Sequence, residues 1–161
     1  MSRVGMHHVD IVVSSLERSL PLYRDLLRPL GYTRAGEIVG ERGESVWYLV
    51  GEGVGASLGI REARAAPDEG YDRYAVGLHH LAFEAASREG VDERYRWALG
   101  RGLEIENAPQ EWPYTPGYYA TFFYDPDGIK LEIVHRPSES DLVEEVRRLA
   151  ARLERLEQER G

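Results

Sequence analysis

The chain has 161 residues, 42% of them hydrophobic, which is enough to bury one substantial core or two small ones. Its formal charge is −8 and its Lys and Arg residues are scattered, which argues against nucleic acid or an anionic membrane as a partner. Cysteine is absent, so a disulfide framework, a zinc finger and thiol catalysis are excluded, and His, Asp and Glu are the remaining strong metal ligands. Without an export signal or a long apolar run, we expect a cytoplasmic protein.

The first half of the chain predicts one helix and four strands. Residues 8–13 alternate in hydrophobicity as a strand does, and they place His8 on the face opposite Val9 and Ile11. A pair of serines then caps a segment with apolar residues at helical spacing, which ends at Gly31. Three strand-like runs separated by glycine-containing turns follow, at 33–39, 44–50 and 55–62.

The second half repeats this order. Residues 7–27 align without a gap with residues 79–99 at an offset of 72, and residues 55–60 align with 128–133 at an offset of 73. Two registers that agree to within one residue indicate a duplicated unit. The repeated elements are a strand, a helix and three further strands, at 78–84, 89–101, 103–106, 117–124 and 129–135.

These patterns predict an α+β fold built from two βαβββ modules. Module one covers 4–63, module two covers 77–136, and a linker at 64–77 joins them within a domain spanning 1–136. The remaining segment, 137–161, predicts an amphipathic helix with apolar residues spaced 4, 3, 4 and 3 apart, at Leu142, Val146, Leu149, Leu153 and Leu156. Packing on the body of the protein and pairing with a second subunit both stay open for this helix, and we expect a homodimer.

Three side chains are candidate metal ligands. His8 and His80 occupy equivalent positions in the first strands of the two modules. Glu132 lies in a last strand, on the face opposite Leu131 and Ile133. Each residue alone is ordinary for a strand, but two imidazoles and a carboxylate are a common ligand set for Fe, Mn, Ni or Zn. Their joint occurrence predicts one divalent metal ion.

The segments HHVDIVVSSLERSLPLYRDLL, HHLAFEAA and DPDGIKLEIV resemble the vicinal oxygen chelate superfamily. This group contains glyoxalase I, fosfomycin-resistance proteins, extradiol dioxygenases and bleomycin-resistance proteins, and the resemblance covers about residues 4–136. It implies that the paired modules form a cup-shaped mixed sheet with the metal at its floor. Carried over by position, His8, His80 and Glu132 match three ligands, whereas the fourth position falls on Gly59, which cannot ligate. The resemblance therefore implies a three-ligand site with open positions for two substrate oxygens.

Four further side chains are expected to contact the substrate: Tyr48, Arg61, Tyr124 and Lys130. Tyr48 could equally be a core residue, and the two cations could be solvated strand ends. A one-residue change of register would replace Phe122 and Tyr124 on the pocket face by Thr121 and Phe123. The tyrosine of extradiol dioxygenases falls on Phe122, which weakens the oxygenase reading, and no general base is assigned. The aromatic stretch at 112–119 predicts either a lid over the ligand or ordinary loop packing.

Three functions are compatible with this sequence. The leading hypothesis is a metal-dependent lyase, isomerase or dioxygenase that binds a small molecule through vicinal oxygens. The second is a metal-free drug- or metabolite-binding protein resembling the bleomycin-resistance proteins, although the retained His8, His80 and Glu132 argue against it. The third is a structural or regulatory dimer that recruits a partner through the C-terminal helix.

Overall fold

The computed structural model describes residues 5–52, 55–65 and 70–158. Each half of the chain folds into a four-stranded mixed sheet and a helix, which confirms the predicted α+β architecture of two βαβββ units. Part of the predicted linker at 64–77 and the last residues of the predicted segment 137–161 lie outside the described residues. The predicted module and domain boundaries stay predictions.

The two halves have the same topology. In the first, β1 (His8–Val13) is followed by α1 (Leu16–Leu27), a 3-10 turn (Arg28–Leu30), β2 (Arg34–Val39), β3 (Ser45–Val50) and β4 (Ser57–Glu62). In the second, β5 (Leu81–Glu84) is followed by α2 (Arg88–Gly100), β6 (Ile105–Glu111), β7 (Tyr119–Tyr124) and β8 (Lys130–His135). The strand orders are β1-β4-β3-β2 and β5-β8-β7-β6, so each unit pairs its first and last strands in parallel.

One hydrophobic core joins the two units. Tyr23, Leu26 and Leu27 of α1 are fully buried in the same cluster as Leu131 and Ile133 of the second sheet. The Tyr23 hydroxyl donates to the Asp125 carboxylate at 2.8 Å, and burial, reinforced by that carboxylate, raises the pKa of Tyr23 well above its ordinary value. Each sheet therefore uses one face for the core, which leaves its other face for polar side chains.

The pairing of β7 with β8 decides which residues share that polar face. Phe122 lies opposite Glu132 and Tyr124 lies opposite Lys130. This is the predicted register that has Phe122 and Tyr124, not Thr121 and Phe123, on the pocket face. Thr121 and Phe123 point instead into the protein, where both are fully buried. The turn between the strands uses Gly128 at φ +84°, a conformation that favours glycine.

The sixth strand is longer than the sequence indicated. We predicted a strand at 103–106, whereas β6 runs over Ile105–Glu111. Asn107 and Pro109 both disfavour strands, and the pairing with β7 is irregular at this point. An edge strand tolerates such residues because half of its backbone groups need no neighbour, and β6 is at the edge of its sheet.

The last helix, α3 (Glu139–Gln158), contains no buried residue. Ser138 begins it, accepting a hydrogen bond from the backbone N–H of Asp141 at 3.2 Å. Its apolar side chains are exposed, so within the described chain the helix does not bury its stripe on the protein body. Among the described residues, no helix combines the length and apolar character needed to cross a membrane.

Candidate metal and substrate site

The core of the candidate site is a pair formed by His80 and Glu132. His80 immediately precedes β5, and Glu132 is in the middle of β8, the parallel neighbour of β5. Ala82 lies opposite Glu132 in this strand pair. The His80 Nε2 and Glu132 Oε2 atoms are 3.1 Å apart, and only 4% of the Glu132 side chain is exposed.

Tyr118 holds the second oxygen of this carboxylate. Its hydroxyl donates to Glu132 Oε1 at 2.5 Å. Burial, together with this bond to Glu132, raises the pKa of Tyr118 above its ordinary value, so the phenol keeps its proton at neutral pH. A donor on one carboxylate oxygen fixes the direction in which the other oxygen points, here toward His80.

A cavity of about 350 Å³ lies directly over this pair. One side is a wall of packed aromatic rings, in which Trp112 stacks on Tyr114 and meets Phe122 edge to face at 5.2 Å. Tyr114 in turn contacts Tyr118 edge to face. The stretch at 112–119 therefore packs on itself and lines the cavity, and its role as a lid over a ligand stays a prediction.

The cavity is also lined by Glu106 and Lys130, which belong to an ion cluster centred on Glu106. Lys130 Nζ donates to Glu106 Oε1 at 2.6 Å, and Arg73 Nη1 donates to Oε2 at 2.8 Å. The Tyr124 hydroxyl also bonds to Oε2. Burial opposes ionisation of Glu106, but the bonds from Lys130, Tyr124 and Arg73 outweigh it and lower its pKa to about 2. Two of the predicted substrate contacts, Tyr124 and Lys130, thus share one carboxylate.

The polar face of the first sheet carries a second cluster, centred on Asp10. Tyr48 donates to Asp10 Oδ2 at 3.2 Å, and the Arg61 guanidinium contacts the same oxygen. Arg61 also donates to Glu44 at 3.0 Å. His8 stands beside them, with its ring edge to face with Tyr48 at 5.7 Å. The predicted contacts Tyr48 and Arg61 therefore lie with His8, not with His80 and Glu132.

Gly59 is next to Asp10, its partner across the β1–β4 pair. A Cβ atom at position 59 would lie 2.1 Å from Asp10 Oδ1. The space that a fourth ligand would enter in the first module is thus occupied by the Asp10 carboxylate. Glycine at 59 is explained by this close approach.

Within one chain the three predicted ligands do not converge. His80 and Glu132 are neighbours, but among the described residues no group of three or more His, Asp or Glu side chains could hold a metal ion. His8 is a described residue, so it lies outside the His80–Glu132 pair in a single copy.

Comparison with known proteins identifies the family. Residues 5–133 match the Glyoxalase/Bleomycin resistance protein/Dioxygenase superfamily. The chain belongs to this superfamily. Bacillus subtilis YqjT is 33% identical over 135 residues, covering 80% of this chain and 97% of its own length.

Two solved structures of this superfamily show the same fold. A candidate glyoxalase from Bacillus halodurans is 32% identical, with 81% of this chain and 95% of the other covered and a TM-score of 0.63. A glyoxylase/bleomycin resistance protein/dioxygenase domain from Frankia is 28% identical, with coverage of 84% and 100% and a TM-score of 0.67. The superfamily match ends at residue 133, so α3 lies beyond it.

Several residues of the site in this superfamily member were not predicted. Asp10 had a signal, because it shares the strand face of His8. Tyr118 belonged to the aromatic stretch, but nothing in the sequence indicated its bond to Glu132. Glu106 and Arg73 had no signal, since one lies in an irregular edge strand and the other in the predicted linker.

Proposed function

We propose that this protein is a metal-dependent enzyme in which His80 and Glu132 of one copy and His8 of a second copy hold one divalent ion. The observation that carries the proposal is the buried Glu132 carboxylate, oriented by Tyr118 and 3.1 Å from His80. Such a separation suits two ligands on one ion, because contacts of about 2.0–2.2 Å to a common centre then enclose roughly a right angle. Fe, Mn, Ni and Zn all accept this donor set.

A second copy is part of the proposal because His8 lies outside the pair within one chain. The superfamily site would then combine the Asp10 face of one copy with the Glu132 face of another. This arrangement brings Tyr48 and Arg61 to the same substrate as Tyr124 and Lys130. It also gives the expected homodimer a chemical reason, because the site is incomplete without the partner.

The metal, when bound, would act as a Lewis acid toward two vicinal oxygens of a small molecule. The chain's own residues do the remaining work. The aromatic wall of Trp112, Tyr114 and Phe122 excludes water and contacts an apolar part of the substrate. Lys130, which lines the cavity and which Glu106 fixes in place, binds an oxygen atom with developing negative charge.

Lyase or isomerase chemistry fits these residues better than oxygenase chemistry. Phe122 carries no hydroxyl at the position that resembles the dioxygenase tyrosine, and its ring lies under Lys130 Nζ, 4.3 Å from the centroid. The phenol nearest Glu132 is Tyr118, whose proton is engaged with that carboxylate. We assign no general base, and the cytoplasmic location stays a prediction.

Elemental analysis of untagged protein after incubation with Zn, Ni, Mn and Fe(II) tests the proposal. We expect about one metal per chain, lost in His80→Ala, Glu132→Gln and His8→Ala. His135→Ala is the matched control, since His135 lies outside the cavity and bonds to the carbonyl of Ala85. Metal binding unaffected by all three ligand substitutions would contradict the proposal.

A metal-free binding protein is the second candidate, and one observation favours it. Glu132 already has two partners, Tyr118 and His80, so the carboxylate is satisfied without an ion. On this alternative the aromatic wall binds a ligand directly. This alternative would be supported if the protein binds none of the four metals and an aromatic cation quenches its tryptophan fluorescence.

A further inference from the structure

The apolar stripe of α3 has no partner within the described chain. Six large apolar side chains on this helix are 39–65% exposed, namely Leu142, Val143, Val146, Leu149, Leu153 and Leu156. Five of them follow the alternating spacing of a coiled-coil seam, and Val143 widens the stripe on one side. An exposed apolar stripe this regular marks an interaction surface.

We propose that α3 pairs antiparallel with α3 of a second copy, with Val146 of one helix against Leu149 of the other. In that register Leu142 meets Leu153 at both ends of the pair. The arrangement is two-fold symmetric, so each helix contributes the same surface, as a homodimer requires. The proposed metal site also uses a second copy, but the helix pair follows from α3 alone.

Charge complementarity selects this register. Glu145 and Arg152 both flank the stripe on the same side, seven residues apart, and the proposed pairing puts Glu145 of each copy beside Arg152 of the other. Among the described residues, Glu145 forms an ion pair with Arg148 of its own helix at 3.2 Å, and Arg152 forms none. Sliding the helices by one heptad would instead oppose two Glu145 or two Arg152 side chains.

The width of the stripe selects the antiparallel direction. On the other flank the proposed register places Val143 beside Ala150 of the second copy, which covers Val143, now 45% exposed. A parallel pair would bring Arg152 beside Glu157 but would leave Val143 near Ser138, before the helix begins. The antiparallel pair therefore covers Val143 and matches Glu145 with Arg152, while Leu156 lies opposite Glu139 at the first turn of the other helix.

Cysteine cross-linking tests the pairing, because the chain contains no cysteine of its own. Full-length Val146→Cys and Leu149→Cys chains, carrying different affinity tags, are co-expressed, captured as mixed dimers and oxidised. We expect disulfide-linked dimers in the mixed sample and no disulfide-linked dimers in each variant alone. Ala151→Cys, on the outward side of the helix, replaces Leu149→Cys in the control and should not cross-link.

Charge reversal then tests the register in the same assay. Adding Arg152→Glu to both cysteine variants should reduce the cross-linked fraction several-fold, because Glu145 would then face a second carboxylate instead of a guanidinium. Adding Glu145→Arg as well should restore it, and Arg155→Glu on the outward side should change nothing. Cross-links within each single-cysteine variant would establish a parallel pair. An absence of cross-links in the mixed dimers would refute helix pairing. Either result overturns the proposal without bearing on the metal site.

Discussion

Replacing Glu106 by Gln tests whether one ionised carboxylate holds the cluster beside the cavity together. The pKa of Glu106 is lowered from 4.5 to about 2, which corresponds to about 3 kcal/mol if fully expressed in stability. Its side chain is 27% exposed, so solvent screening reduces this, and we expect Glu106→Gln to lower the unfolding free energy by about 1–2 kcal/mol at pH 7. Glu104→Gln, an exposed neighbour, should cost less than about 0.5 kcal/mol.

The pH dependence of the unfolding free energy shows whether the ionised Glu106 carboxylate stabilises the fold. A carboxylate whose pKa is depressed in the folded state stabilises above its unfolded pKa, and this contribution is lost as the pH falls toward the folded pKa. The difference between wild type and Glu106→Gln should therefore be constant above about pH 5 and fall by about half or more by pH 3. Urea unfolding at a fixed protein concentration measures it. A difference that is absent at pH 7, or unchanged at pH 3, would show that the stabilisation does not come from the ionised Glu106 carboxylate.

Three further substitutions test separate parts of the structure. Tyr118→Phe should weaken zinc binding by roughly tenfold in titration calorimetry, because Tyr118 orients Glu132. Tyr114→Phe, the control, should leave zinc binding unchanged. Equal zinc affinities of the two variants would contradict the role of Tyr118. Gly59→Ala should lower stability by about 1–3 kcal/mol in thermal unfolding, since its Cβ meets Asp10, and an unchanged melting temperature would show that Asp10 yields freely. Ser15→Ala removes the N-cap of α1 and should lower the free energy of unfolding by about 1 kcal/mol. Because Ser14 is not the cap, Ser14→Ala should lower it by less.

The sequence predicted the fold because its periodic signals are local. Alternation in β1 and β8 placed His8 and Glu132 on polar faces, and the aligned repeats gave the order of elements. The end of β6 was missed because Pro109 interrupts the pattern, and only its edge position allows the strand to continue.

The candidate site was harder to predict because its members come from distant positions. The bond between Tyr118 and Glu132 depends on how the loop before β7 folds over the sheet, and the Glu106 cluster joins the linker to two strands. Within one chain His8 does not join His80 and Glu132 among the described residues, and their convergence across two copies is a proposal. Sequence periodicity assigns a residue to a face, but it does not say which copy that face meets.

The proposed function has one metal held by His8 of one copy and by His80 and Glu132 of another. Mixed dimers of His8→Ala and His80→Ala chains, captured with two tags, test it most directly. If the ligands come from two copies, one of the two sites in each mixed dimer is intact, and we predict one metal per mixed dimer while each variant alone binds none. If all three ligands act within one chain, both sites of the mixed dimer are damaged. Metal-free mixed dimers would therefore contradict a site shared between two copies.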